Sequence, residues 1–199
     1  MKAVTLLGVA AAASLLASPV SAQRDTATAR PVAQVYGTLS QNDVAIRLRN
    51  DELEIRFVPL DNRILGVLAR DAAESLRGLL ASRRVAIDSA ARHNGVADPG
   101  LALVGFFAQR DGVRFDPQLL TVTASGRVLR PLAIVPLSPR FGSHQLGLRE
   151  QVMGLFLYED LIPVDAIFEV SYESQISREW ERRLPLLERE RARIGARAR

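Results

Sequence analysis

The sequence contains no cysteine, and among its 199 residues it has only two histidines. The absence of cysteine excludes disulfide bonds, thiol nucleophiles, thiolate metal sites and lipid attachment to an N-terminal cysteine. His93 and His144 lie far apart and belong to no H-E-x-x-H motif. Because calcium-loop, Walker A and G-x-G-x-x-G motifs are also absent, we expect neither a metal nor a cofactor.

Lysine is almost absent, since Lys2 is the only lysine among the 26 basic residues. The chain has 22 acidic residues. The basic surplus lies at the C-terminus, where eight arginines and four glutamates occur from Arg178 onward. Such a segment can contact an anionic membrane surface, or it can form a solvated helix laced with Glu–Arg pairs. Nucleic acid is not an expected partner, since no basic patch with interleaved aromatic residues occurs. The candidate surface-contacting residues are Arg189, Arg191, Arg193, Arg197 and Arg199.

Long apolar runs are absent except at the N-terminus, where residues 3–16 are apolar. This run is shorter than the roughly 20 residues that a membrane-spanning helix needs. It follows Lys2 and precedes a small-residue segment that ends at Ala22, which is the pattern of a secretory signal peptide. We therefore predict a signal peptide over 1–22, a flexible lead-in over 23–31, and export to the periplasm or medium; the alternative is retention as an anchor.

The clearest β signal is a strict alternation of apolar and charged residues on two runs joined at 50–51. It predicts a β-hairpin. A two-residue turn there would place Arg49 opposite Glu52 and Arg47 opposite Glu54, on the solvated face. Ion pairing therefore explains these two carboxylates better than general acid–base catalysis does.

Further short strands and turns follow, including a two-residue hairpin turn at 125–126. Residues 151–158 are apolar on both faces, which is typical of a central strand. A capping pattern and helical spacing predict a helix near 72–93. The sequence therefore predicts a mainly β fold, an antiparallel β-sandwich over 32–176 that is immunoglobulin-like in the loose sense, with an inserted α-helix and a C-terminal α-helix.

The C-terminal segment, 177–199, predicts an arginine-rich helix with Ser177 as its N-cap. Trp180 should dock the first two turns, and the arginine-rich end should project. Pro185 should kink or restart the helix, because proline lacks the N–H that a helix interior requires.

Residues 130–151 are rich in proline, glycine and arginine. Pro131 favours an edge strand or a bulge, and the later prolines indicate a stiff exit from the sheet into a loop. Within that loop, one cluster combines an aromatic ring, a titratable ring and fixed cations. The candidate ligand-binding residues are Arg140, Phe141, His144 and Arg149.

No catalytic residue is nominated, because no nucleophile motif occurs and a triad of serine, His144 and Asp160 can be written for almost any chain of this size. The pattern favours an exported bacterial envelope protein that acts as a non-catalytic binding or interaction module, with an envelope protein or a glycan as partner. The first alternative is a secreted hydrolase with an unrecognised Ser/His or carboxylate site. The second is an accessory protein that docks on an anionic surface through its arginine-rich tail.

Overall fold

The computed structural model describes residues 36–197, so the predicted signal peptide, the lead-in and Arg199 lie outside the described residues. Within this range the fold is mainly β, with antiparallel sheets, one long inserted helix and one long C-terminal helix. This confirms the predicted fold class and its sandwich-like arrangement.

The helices are α1 (Gln41–Val44), α2 (Asn62–Leu65), α3 (Arg70–His93) and α4 (Glu179–Arg197). The strands are β1 (Ile46–Arg49), β2 (Leu53–Pro59), β3 (Gly100–Ala108), β4 (Val113–Arg114), β5 (Thr121–Ala124), β6 (Arg127–Leu129), β7 (Pro131–Pro136), β8 (Gln145–Leu146), β9 (Gln151–Tyr158), β10 (Glu169–Tyr172) and β11 (Gln175–Ser177).

Two sheets enclose the core. The larger has the strand order β1-β2-β3-β9-β7, and the smaller has the order β11-β10-β5-β6. Phe106 of the first sheet meets Tyr172 of the second with ring centroids 6.0 Å apart, and it stacks on Phe115 at 4.6 Å. Edge-to-face and offset-stacked aromatic pairs of this kind stabilise a core beyond their buried area. Phe106 therefore lies where the inner faces of the two sheets meet.

The first hairpin has the predicted faces but a different register. Asn50 Oδ1 accepts hydrogen bonds from the backbone N–H groups of Glu52 and Leu53, at 2.9 and 2.7 Å, which places the turn at 51–52. Moving the turn by one residue shifts the pairing of the two strands by two residues. Every residue therefore changes its partner, but each side chain stays on its own face of the sheet. The predicted pairings of Arg49 with Glu52 and Arg47 with Glu54 are therefore wrong.

The 125–126 turn joins β5 to β6 as predicted, and Ser125 and Gly126 both have positive φ, of 49° and 78°. The chain then changes sheets, because β6 belongs to the smaller sheet and β7 to the larger one. Pro131 stands at this crossing, at a register irregularity on the edge strand β7. The proline prediction of an edge or bulge is thus confirmed, for the reason that proline cannot donate to a sheet ladder.

Helix α3 lies against the outer face of the larger sheet. It contacts β7, and its Leu80 and Ile87 line a groove together with Leu60 and Leu101. Its buried residues are Ala73, Leu76, Ile87 and Ala91, spaced as on one helical face. The helix covers the end of the sheet where β3 begins.

Two details of the C-terminal helix prediction are wrong. Ser177 is the last residue of β11, where it pairs with Val170, and α4 begins only at Glu179, so Arg178 and not Ser177 stands at the N-cap position. The helix also continues through Pro185, so of the predicted kink or restart the restart is wrong. Its docking extends beyond the first two turns, because the Glu190 carboxylate is buried and accepts hydrogen bonds from the Thr38 backbone N–H at 2.8 Å and its hydroxyl at 3.0 Å. The sequence pattern missed this contact because Thr38 is remote in the chain.

Candidate binding surface

The loop cluster predicted from the sequence divides into one core residue and three surface residues. Phe141 is buried, and its ring lies 5.7 Å from that of Phe115 and 6.3 Å from that of Phe106. Arg140 is paired with Glu150 at 2.8 Å. Phe141 therefore anchors the loop to the core, which is sufficient to explain an aromatic residue at this position.

The other two loop residues, His144 and Arg149, have left-handed backbones, with φ of 53° and 59°. The exposed imidazole of His144 lies 5.6 Å from the Phe115 ring, and the backbone N–H of Arg149 donates to the Ala108 carbonyl at 3.0 Å. Left-handed backbone is uncommon for residues with a side chain. Ligand binding by this loop stays a prediction.

The arginines of the C-terminal helix are partly engaged with the rest of the fold. Arg191 pairs with Asp165 at 2.6 Å and Arg193 with Glu190 at 3.0 Å, while Arg189 donates to the carbonyl of Pro185 at 3.2 Å. Arg197 is exposed. The ion pairs of Arg191 and Arg193 compete with any contact that these side chains make to an external anionic surface. No helix within residues 36–197 is long and apolar enough to cross a membrane.

The groups considered for hydrolysis have structural partners. The Ser143 hydroxyl lies 2.8 Å from the Arg140 carbonyl, and Asp160 pairs with Arg127 at 2.9 Å. No cluster of His, Asp and Glu that could hold a metal ion occurs in the described part of the chain. These arrangements show what the side chains do in the fold, and the hydrolase alternative stays a prediction.

The outer face of the larger sheet carries two cross-strand rows that α3 does not bury. Antiparallel register places the residues of each row side by side, and residues two apart on a strand share a face. The first row is Arg47, Arg56, Gly105 and Met153, and the second is Arg49, Glu54, Phe107 and Gln151. We call these eight residues the open half-sheet.

The cover over this face ends between adjacent rows. In the next row toward the start of β3, Val58 is 1% exposed and Leu155 is fully buried, whereas Met153 of the open half-sheet is 38% exposed. Phe107 is half-buried and Gln151 exposed. Phe107 thus lies beside charged groups in a depression of about 310 Å³, and the exposed thioether of Met153 lies on the same face outside it.

Arg56 is the least satisfied side chain of the open half-sheet. Its Nε is buried and has no hydrogen-bond partner among the described residues. Arg56 stands directly opposite Arg47 in the hairpin. Burial, and then the charge of Arg47, lower the pKa of the Arg56 guanidinium, while the charge of Glu54 raises it. An unmade hydrogen bond and a like-charge neighbour both cost free energy, so the folded protein stabilises this arginine poorly.

Gly105 shapes the middle of the surface. A Cβ at this position would lie 3.1 Å from Gln151 Nε2 and 3.6 Å from Met153 Cγ, so side chains of β9 lie over the Gly105 backbone, which is buried. Glycine inside a strand often marks a place where another group approaches the backbone closely. Gly105 thus contributes to a depression whose other lining residues are Arg47, Glu54, Arg56, Phe107 and Gln151.

The sequence interpretation missed this surface because it treated the alternating arginines as ordinary solvated side chains. The useful signal was Gly105, a strand-interior glycine within the apolar run 101–108. Nothing in the local pattern indicates that Met153 is a cross-strand neighbour of Gly105, since that pairing depends on the order of the strands.

A second concavity of about 400 Å³ lies between the C-terminal half of α3 and the segments 97–101 and 161–162. Its lining mixes aliphatic with polar side chains, and it includes the carboxylates of Asp61, Asp88 and Asp98. Asp61 is bound by Arg63 at 2.7 Å, and Asp88 by Arg84 at 2.9 Å. Arg63 and Arg84 neutralise two of these carboxylates and Asp98 adds a further negative charge, so this groove is less suited to an anion than the open half-sheet is. No family model, curated protein or solved structure matches the chain.

Proposed function

We propose that the chain is an exported, non-catalytic binding module of the bacterial envelope and that the open half-sheet is its binding surface. One observation carries the proposal: a half-buried arginine without a partner for its Nε lies beside an exposed methionine and a half-buried phenylalanine, on a sheet face whose other half is covered. Residues that break the rules of a stable fold are expected at functional sites.

Export supports the same role. The apolar run over residues 3–16 and the small residues that end at Ala22 match a cleavable signal. A binding module outside the cytoplasm would meet cell-envelope molecules, which is the partner class expected from the sequence.

The methionines of the chain can report on both parts of the proposal, export and binding. The chain contains two methionines, Met1 and Met153. Expression of the full chain with ¹³C-methyl methionine should therefore give one methionine signal in protein recovered from the periplasm, because cleavage after Ala22 removes Met1. The remaining signal belongs to the open half-sheet. Two signals, or protein found only in the cytoplasm, would contradict export with cleavage.

Binding is then measured on the same sample by adding fractions of a solubilised envelope extract. We expect the Met153 methyl signal to shift in a saturable way, and Arg56→Ala to weaken the response. The matched control is Arg84→Ala, which removes an arginine from the exposed surface of α3. If, in a second sample labelled uniformly with ¹⁵N, the extract shifts the amides of residues 140–149 while Met153 is unchanged, the binding surface is the loop and the proposed site is wrong.

A further inference from the structure

We infer that the open half-sheet binds an amphiphilic anion, with its anionic group held between Arg47 and Arg56 and its apolar body lying over Gly105 against Phe107 and Met153. This inference rests on the proposed function and names the ligand class of the same surface.

The charge of the surface favours an anion. The open half-sheet contains three arginines and a single carboxylate, that of Glu54. Glu54 lies 3.9 Å from Arg49 Nε and 3.5 Å from Gln109 Nε2. The side chain of Arg47 donates to the neutral amide oxygen of Asn42 at 3.2 Å. The carboxylate thus leaves a positive excess along the row that contains Arg56.

The register brings two of these cations to one point. Residues directly opposite each other in an antiparallel pair have Cβ atoms about 4.5–5.5 Å apart, so the side chains of Arg47 and Arg56 reach a common volume above the sheet. Guanidinium groups bind phosphate and carboxylate oxygens through paired, charge-assisted hydrogen bonds. An anion between the two guanidinium groups would offset their repulsion.

The apolar half of the ligand follows from the remainder of the same row. Three strands that are adjacent in the sheet, β2, β3 and β9, carry Arg56, Gly105 and Met153 respectively. Two strand spacings separate the first from the last, which is about 10 Å. Gly105, which has no side chain, lies between them, and the half-buried Phe107 lies in the neighbouring row. An inorganic anion would leave this apolar part of the surface unused, whereas an anion with a short chain or a ring would cover it.

The test titrates the ¹³C-methionine protein, produced from the full chain, with octyl phosphate, inorganic phosphate and octyl glucoside. We expect octyl phosphate to shift the Met153 methyl signal saturably and to bind about tenfold more tightly than either comparison compound, because only it engages both parts of the surface. Arg56→Ala should weaken octyl phosphate binding about tenfold, and Arg84→Ala should leave it unchanged. Equal binding of octyl glucoside, or unchanged binding by Arg56→Ala, would overturn the inference.

Two further arms separate the possible outcomes. Sedimentation with phosphatidylglycerol vesicles identifies the source: Arg56-dependent binding to vesicles indicates a lipid headgroup, and binding of octyl phosphate without vesicle binding indicates a free amphiphilic acid. If the envelope extract shifts Met153 and octyl phosphate does not, the ligand class is wrong and the binding surface stands. If neither shifts it, both the ligand class and the proposed function fail.

Discussion

Replacing Arg56 by methionine should make the protein more stable while it removes the anion site. The buried Nε of Arg56 lacks a hydrogen-bond partner, and an unsatisfied buried donor costs about 1–3 kcal/mol. The opposing Arg47 adds a cross-strand repulsion of roughly 0.2–1 kcal/mol. Methionine keeps a flexible apolar stem in the same place and carries no charge to desolvate.

Two losses reduce this gain. Glu54 attracts Arg56, and an ion pair near the surface contributes about 0–1 kcal/mol. Part of the arginine stem also packs on the sheet, although the methionine side chain replaces most of that contact. We therefore expect the free energy of unfolding of Arg56→Met to exceed that of the wild type by about 1 kcal/mol.

Urea denaturation followed by tryptophan fluorescence measures this difference. Trp180, the single tryptophan of the chain, is fully buried in the fold, so its emission reports global unfolding. Arg84→Met is the matched control, and its exposed pair with Asp88 should change the free energy of unfolding by less than about 0.5 kcal/mol. A decrease of about 1 kcal/mol or more for Arg56→Met would refute the reasoning, because Arg56 would then support the fold.

Three other perturbations test the fold around this surface. Glu190→Ala should lower the free energy of unfolding by about 1–3 kcal/mol in urea denaturation, because it removes the charged acceptor of both Thr38 hydrogen bonds. Gly37→Ala should lower the midpoint of thermal unfolding by several degrees, because its Cβ would overlap the Val67 carbonyl. Asp43→Asn should flatten the loss of stability below about pH 4, measured by urea denaturation at several pH values.

The pH prediction has a definite sign. Hydrogen bonds from the Ser40 hydroxyl and backbone N–H hold the pKa of the Asp43 carboxyl below its ordinary 3.8. A depressed carboxyl pKa stabilises the fold at pH values above the unfolded pKa, and this contribution is lost as the pH falls through the folded pKa. An equally steep acid limb in Asp43→Asn would contradict this assignment.

Control substitutions of the same kind separate the other two effects from general sensitivity to mutation. Glu188→Ala, at an exposed position on the same helix as Glu190, should change the free energy of unfolding by less than about 0.5 kcal/mol. Gly78→Ala should be neutral or stabilising by up to about 1 kcal/mol, because its Cβ meets nothing within 4 Å and α3 favours alanine. A stable Glu190→Ala protein would show that the contact with Thr38 does not hold α4 in place.

Local patterns predicted the parts of this fold that depend on local interactions. The alternation in the first hairpin assigned each side chain to its correct face, because burial of one face imposes a period of two. It misplaced the turn, since the Asx-type hydrogen bonds of Asn50 selected a turn one residue later. The resulting register put Arg56, in place of Glu54, opposite Arg47, and this substitution of a cation for an anion creates the candidate site.

The remaining features of the site depend on contacts between distant parts of the chain. The apolar run of β3 identified a strand and Gly105 marked a close approach to its backbone, but which strand lies beside Gly105 is settled by sheet order. The burial of Glu190 against Thr38 likewise requires α4 to fold back on the first described residues.

By itself, the amino-acid sequence determined that this chain forms a mainly β fold with an inserted and a C-terminal helix, because hydrophobic periodicity and turn residues act over a few residues. Only the tertiary structure decided which half of the larger sheet α3 covers. It thereby left Arg56, Phe107 and Met153 together at the uncovered end, since side chains from separate strands become neighbours only when the strands pair.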